Sequence, residues 1–214
     1  MNNTSPLRLA LVRHGETIFN RQNRFTGQKD PLLTSTGQSE AEALAKSLQV
    51  RFPNGVSKIC TSHLLRCKKT AEIIATKVSV TDSDHLEIFP SLAEIDHGAW
   101  SGLKKQAVQE LYPQEYALWK SQPQLLVMPG RENFQDFQDR VLRTILKISA
   151  ENTSGNPVLI VCHEHVIRIV LSYISGSGYW HSSVENCGFF PIHLDQFTHI
   201  RHPNCHIVRS PWLK

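Results

Sequence analysis

The stretch Pro157–Cys162, read as PVLIVC, constrains the fold of this chain more than any other. Side chains of a strand alternate between two faces, and here both faces are apolar, so the segment needs cover on both sides. Leu7–Val12 is a second short apolar run, and Lys58–Thr61 and His85–Phe89 are further strand candidates. Helical spacing fills the intervals. In Gly37–Arg51, Ala41, Leu44, Ala45 and Leu48 fall at i, i+3, i+4 and i+7. His63–Val78 places Leu64, Ala71, Ile74, Ala75 and Val78 on one side, and Asn133–Ala150 repeats Phe134, Phe137, Val141, Ile145 and Ile148. Val166–Ile174 is another helical stretch, and Cys187–Leu194 and Cys205–Val208 read as closing strands. Strands alternating with helices, apolar on both faces, imply an α/β fold: a three-layer sandwich with a mostly parallel central sheet flanked by helices.

At 214 residues and about 150 per domain, the chain is expected to form one elaborated domain. Such a length buries enough surface to need neither disulfide nor metal for its core. No run of 18 apolar residues is present, and Met1–Ser5 has no signal-peptide pattern, so the expectation is no membrane span. Five scattered cysteines without a Cys-x-x-Cys pair suit a reduced, cytoplasmic protein. The net charge of +4 is too small to imply a nucleic-acid partner. Focused in one cleft, it would attract small anions.

Ligands of open α/β sheets bind beyond the carboxyl ends of the strands. Here those ends carry Arg13-His14-Gly15-Glu16-Thr17, then Ser62-His63-Leu64-Leu65-Arg66, then Glu94-Ile95-Asp96-His97-Gly98, then His163-Glu164-His165. Arginine matches phosphate oxygens with a planar fork and keeps its charge at neutral pH. A neutral imidazole can attack phosphorus, and a carboxylic acid can protonate the leaving oxygen. Neighbouring arginines favour the neutral form of the attacking histidine, whereas a second histidine gains charge once a dianion binds. Spacing leaves open which histidine attacks, and Asp96 and His97 stand beside Glu94 as alternative acids. The late histidines His181, His193, His199, His202 and His206 lack metal-ligand spacing, and no metal or other cofactor is expected.

Leu11-Val12-Arg13-His14-Gly15-Glu16-Thr17 followed by Asn20 resembles the Arg-His-Gly signature of the histidine phosphatase superfamily. Three further blocks follow in that family's order: Thr61–Glu72, with Ser62, Arg66, Thr70 and Ala71; Leu92–Gly102, with Glu94; and Val161-Cys162-His163. The likeness spans roughly residues 7 to 209. It implies that His14 is the phosphorylated nucleophile, that Arg13, Arg66 and His163 hold the phosphoryl oxygens, and that Glu94 is the general acid. It further implies a polar contact from Asn20, a Gly15 that lets the backbone pass close to the nucleophile with its carbonyl fixing the tautomer, and no metal. Asn20 also suits a turn cap, Thr26 and Gly27 suit the pocket wall at the substrate rim, and Arg131 is a further candidate for substrate contact.

The family contains phosphatases and cofactor-dependent phosphoglycerate mutases. The mutases carry a long insertion with paired arginines, but Trp100–Pro129 holds no arginine, and Leu111–Trp119 resembles the short helical insertion of the phosphatases. Asn23-Arg24-Phe25-Thr26-Gly27 is mutase-like. The expectation is therefore a phosphatase acting on small phosphorylated metabolites, with a mutase or a silent phosphate-binding module as alternatives. A single domain over residues 1–214, with the insertion at about 100–130 covering the site, and a monomer or homodimer complete that expectation. Glu164-His165 departs from the glycine-rich pattern after the second histidine. Glu164 is expected to face away from a dianion, toward a helix N-terminus, and His165 to reach the rim and read the leaving group.

Overall fold

A computed structural model describes residues 7–82 and 86–193. Its sheet has five strands: β1 (Leu7–Arg13), β2 (Ile59–Thr61), β3 (Leu86–Ile88), β4 (Val158–Cys162) and β5 (Phe189–His193). They lie in the order β3-β2-β4-β1-β5. The first four in that order run parallel, and only β5 is antiparallel, paired with β1. This is the mostly parallel sheet expected. The antiparallel direction of β5 was not foreseen, and the strand expected at Cys205–Val208 lies outside the described residues, as do Leu194 and His85.

Parity along the central strands explains the three layers. Leu9, Leu11, Val158, Ile160 and Cys162 face one side, where they pack with Phe137, Val141 and Ile145 of α6 (Phe134–Glu151) and Val166 and Val170 of α7 (Glu164–Ser175). Ala10, Val12, Leu159 and Val161 face the other, against Ala45 and Leu48 of α2 (Ser35–Arg51) and Cys67, Ala71 and Ile74 of α3 (Leu65–Ala75). Every one of these residues is within 2% of complete burial. At about 25 cal/mol per Å² of apolar surface, each large one contributes roughly 1.5–3 kcal/mol, offset by the entropy of ordering the chain.

Local chemistry sets the helix ends. The Asn133 side chain accepts from the backbone N–H of Gln135 and Asp136 and starts α6. Helix α3 has no such cap of its own; Asp30 reaches across and accepts from the Leu65 N–H at 2.8 Å, so α3 begins two residues later than its periodicity suggests. Thr17 and Asn20 form a reciprocal capping box on α1 (Ile18–Arg21). Two short helices, α4 (Lys105–Leu111) and α5 (Pro113–Ser121), bring Val108 and Trp119 into a separate hydrophobic cluster with Phe25, Trp100 and Leu126.

Candidate active site

Because β1, β2, β3 and β4 run parallel, their carboxyl ends meet at one rim. His14 follows β1. Its Nδ1 lies 2.8 Å from the Gly15 carbonyl, which can only accept, so Nδ1 carries the proton and Nε2 the lone pair. The backbone of His14 is anchored on both sides, its N–H donating to Cys162 O at 3.0 Å and its carbonyl accepting from Asn186 Nδ2 at 3.0 Å. Burial first, then Arg66 and Arg13, hold the imidazole well below its ordinary pKa, so it is neutral at physiological pH. The Gly15 N–H donates to Thr70 Oγ1 at 3.1 Å, and Thr70 donates in turn to the Arg66 carbonyl. A Cβ on Gly15 would stand 2.3 Å from the Gly37 carbonyl, and one on Gly37 2.1 Å from that of Glu16. Helix α2 therefore crowds the loop, and this contact, rather than the approach to the nucleophile, demands the glycine.

Arg66 is buried against the backbone of the loop after α1. It donates to the carbonyls of Gly27 and Lys29 at 2.9 and 2.7 Å, with Asp30 at 3.5 Å. Gly27 has φ +53°, and a Cβ there would lie 2.7 Å from Ser101 Oγ, so its place in the wall requires glycine. Arg13 donates to the Val184 carbonyl at 2.6 Å and pairs with Glu164 at 3.3 Å. The Nε of each arginine is buried without a partner among the described residues. His163 is completely buried, its Nε2 2.9 Å from Ser62 Oγ and its ring edge-on to His14 at 5.3 Å between centroids. Burial, then Arg66, keeps it neutral as well.

Glu94 is buried, and its carboxylate accepts from the Ile95 N–H at 3.0 Å and from His165 Nδ1 at 3.1 Å. Burial alone would raise its pKa, but the charge and the hydrogen bond of His165 lead the causes that outweigh burial and hold the carboxyl group well below its ordinary range. Arg140 of α6 braces this segment, donating to the carbonyls of Ser91, Ala93 and Glu94 and pairing with Glu132 at 2.6 Å. Asp96 accepts from the Gly98 N–H at 2.8 Å and, unlike Glu94, does not line the cavity that holds His14.

These groups open on a cavity of about 440 Å³ lined by His14, Asn20, Thr26, Gly27, Glu94, His97 and His165. Among the described residues six cations also line it, Arg13, Arg24, Arg66, Lys105, Lys120 and Arg168, against two carboxylates, Glu94 and Glu164. Phe25, Tyr116, Trp119 and Trp180 form the aromatic part of the wall. Among the described residues no group of three His, Cys, Asp or Glu is placed to hold a metal ion.

Residues 9–198 match the histidine phosphatase superfamily (branch 1). The chain belongs to that superfamily. It is 28% identical to phosphoserine phosphatase 1 of Hydrogenobacter thermophilus over 89% of this chain and 88% of that one. A 2,3-bisphosphoglycerate-dependent phosphoglycerate mutase of Methylocella silvestris is 34% identical, over 76% of this chain and 79% of the mutase. The crystal structure of the α-ribazole phosphatase from Shigella flexneri superposes with a TM-score of 0.73 at 26% identity, covering 86% of this chain and 88% of the phosphatase.

Against the histidine phosphatase pattern, the fold brings Arg13, His14, Asn20, Thr26, Gly27, Arg66, Glu94 and His165 to one cavity, with His163 in the layer behind His14 and outside the cavity lining. Asn20 is a cap, its Oδ1 spent in the α1 capping box, and the residue also lines the cavity. The expectation for Glu164 is corrected. Glu164 does stand in the first turn of α7, but its carboxylate joins the cavity wall, bridging Arg13 and Arg168. Two guanidiniums compensate it, so it has no reason to turn away. His165 lines the cavity at 7% exposure, its Nδ1 committed to Glu94 and its Nε2 without a hydrogen-bond partner among the described residues. Arg131 is not brought to the cavity; it donates to the Leu126 carbonyl at 2.7 Å. Thr70, Arg140 and Asn186, which hold the loops of the site, went unassigned, because a hydrogen bond across more than 40 residues leaves no periodic trace in the chain.

Proposed function

We propose that this protein is a metal-independent, cytoplasmic phosphomonoesterase for small phosphorylated metabolites, working through a phosphohistidine at His14. The observation that carries this reading is His14 itself. Its imidazole is fixed by Gly15, held neutral, and set in the wall of a cavity where Arg13 and Arg66 are already locked in place by backbone carbonyls. Donors that need no reorganisation stabilise charge on transferring phosphoryl oxygens most effectively.

In the first step His14 Nε2 attacks phosphorus, the ester P–O bond breaks, and its electron pair goes to the leaving oxygen. Arg13 and Arg66 hold the phosphoryl oxygens, with the amide of Asn20 beside them and Thr26 and Gly27 as wall. Glu94 is ionised in the ligand-free site, yet the arrival of a dianion raises the pKa of a carboxyl group. Substrate binding thus loads Glu94 with the proton that it gives to the leaving oxygen, and His165 Nδ1 steadies the carboxylate that remains. The same dianion favours a proton on His163, which adds to the clamp from behind His14. Water then attacks the phosphohistidine, Glu94 takes its proton, and phosphate leaves with His14 restored. The helices α4 and α5, within a single domain spanning residues 1–214, cover the cavity, and the protein acts as a monomer or homodimer.

Hydrolysis of p-nitrophenyl phosphate in excess EDTA tests this directly: turnover is expected, with phosphate released in equal amount. The likeness to a phosphoglycerate mutase gives a second reading. Activity on phosphoglycerate that depends on added 2,3-bisphosphoglycerate would select it, and phosphate binding with no turnover of any ester would leave a silent binding module.

A further inference from the structure

A carboxylate that is buried and ionised in the ligand-free site cannot protonate a leaving oxygen until it has itself received a proton, and Glu94 is in that position. Its partners narrow the source. One oxygen accepts from the Ile95 N–H, and the other faces His165, with Nδ1 at 3.1 Å and the backbone N–H at 3.4 Å. A backbone amide keeps its proton, so of these donors only the imidazole can release one. The other ring nitrogen, Nε2, is buried without a hydrogen-bond partner among the described residues. The rings of His97, Trp119, Tyr179 and Trp180 enclose it, with centroids 5.2, 6.2, 6.0 and 6.0 Å away. Aromatic faces attract a cation, and two carboxylates act on the ring, Glu94 and, beside it on α7, Glu164. The groups that would oppose a positive charge are neutral, paired or screened. His97 and His163 are neutral, each held down first by burial. Arg13 and Arg168 are paired with Glu164, and Arg66 with the carbonyls of Gly27 and Lys29. Lys120, over the Trp180 ring, is exposed to solvent, and Tyr179 keeps its proton because burial raises its pKa.

Resting on the phosphatase reading above, we propose that Glu94 and His165 form one acid–base unit, in which His165 holds the leaving-group proton in the free protein and passes it on through Glu94. The arriving dianion raises the proton affinity of Glu94. The Nδ1–H bond of His165 then breaks, the proton joins Glu94 Oε2, and the electron pair stays on Nδ1. His165 is left neutral with its remaining proton on Nε2. Glu94 protonates the leaving oxygen as the P–O bond breaks. When water attacks the phosphohistidine, its proton returns by the same route, to Glu94 and then to Nδ1, and the hydroxyl stays on phosphorus. His165 acts through Glu94, as a positioning residue that also stores the proton. The plainer alternative is that His165 only orients the carboxylate, which any hydrogen-bond donor of similar reach could do.

The charge state is read first, without turnover, by nitrogen–proton correlation NMR of the imidazoles in the ligand-free protein at pH 6, with His165→Asn identifying the resonance. Both nitrogens of His165 are expected to carry protons, and a neutral ring would overturn the proposal. Kinetics then compare p-nitrophenyl phosphate, whose leaving group departs without a proton, with glycerol 2-phosphate, whose alkoxide needs one. On glycerol 2-phosphate kcat/KM is expected to fall on the alkaline side as the unit loses its proton, a limb that p-nitrophenyl phosphate should lack. The amide of His165→Asn can still donate to Glu94 but holds no spare proton. That variant is expected to lose about tenfold more on glycerol 2-phosphate than on p-nitrophenyl phosphate, with the alkaline limb moved to lower pH. His165→Phe should show the same displaced limb. A His165→Asn profile that matches the intact protein would mean that His165 only orients Glu94, and equal losses on both esters would mean a structural role; either overturns the proposal. Turnover of neither ester by the intact protein counts instead against the phosphatase reading, and the NMR result stands apart from it.

Discussion

A histidine with its Nδ1–H tied to the following carbonyl can react only through Nε2, and on the mechanism proposed above that geometry makes His14 the one nucleophile. His14→Ala is expected to lower kcat/KM on p-nitrophenyl phosphate by about 10⁴-fold or more, with little change in secondary structure. Glu94→Gln, which keeps the shape but cannot cycle a proton, is expected to cost between about 10² and 10⁴ in kcat, and least on substrates with good leaving groups. The pH dependence has a definite sign. His14 must be neutral to attack, and its pKa lies below the ordinary 6.5, so kcat/KM should hold through pH 6.5 and fall only as the pH drops further. Arg66→Met removes the larger of the two cationic contributions, so the acid limb should move up toward 6.5. It should not pass that value, because burial outranks both arginines. A limb that stays put or moves down would contradict this account of the site's electrostatics.

Elements hold these residues through a few crowded contacts. Thr70 of α3 accepts from the Gly15 N–H, and Thr70→Val leaves that buried donor without a partner. A loss of about 1–3 kcal/mol in stability, measured by urea unfolding, is expected, together with reduced turnover. Gly37→Ala forces a methyl group against the Glu16 carbonyl and should destabilise the fold by a similar amount. Much at this scale was readable in advance. The two-faced apolar runs of β1 and β4 and the spacing of α2, α3 and α6 come from burial on a repeating face, which leaves a periodic mark in the chain. What did not show was whatever depends on groups far apart in sequence: the antiparallel direction of β5, the capping of α3 by Asp30, and the brace from Arg140. Among the site residues, Arg13, His14, Arg66 and Glu94 were legible because each follows a strand end in a recognisable block. The inward turn of Glu164 was not, because it depends on Arg13 emerging from a neighbouring strand.

Across the whole molecule, the site places a strain on stability that acid should reveal. His14, His97 and His163 are all buried, and burial is the largest cause holding each well below 6.5. The unfolded chain therefore binds protons on these groups that the folded chain refuses. Their contribution is complete above pH 6.5 and is lost as the pH falls below it, by at most about 1.4 kcal/mol per pH unit for each histidine. The urea midpoint should be level from pH 8 to 7 and decline between 6.5 and 4.5, before the depressed carboxylate of Glu94 begins to contribute below 4.5. A midpoint that stays level down to pH 5 would mean that the three imidazoles are hydrated rather than buried.

The decisive measurement is the covalent state of His14 during turnover. Enzyme mixed with excess phosphomonoester, quenched within milliseconds in base, and digested should yield the His14 peptide carrying one added phosphoryl group, at a level set by the ratio of its formation and hydrolysis rates. Full turnover with an adduct on another residue, or undiminished rates in His14→Ala, would contradict the account.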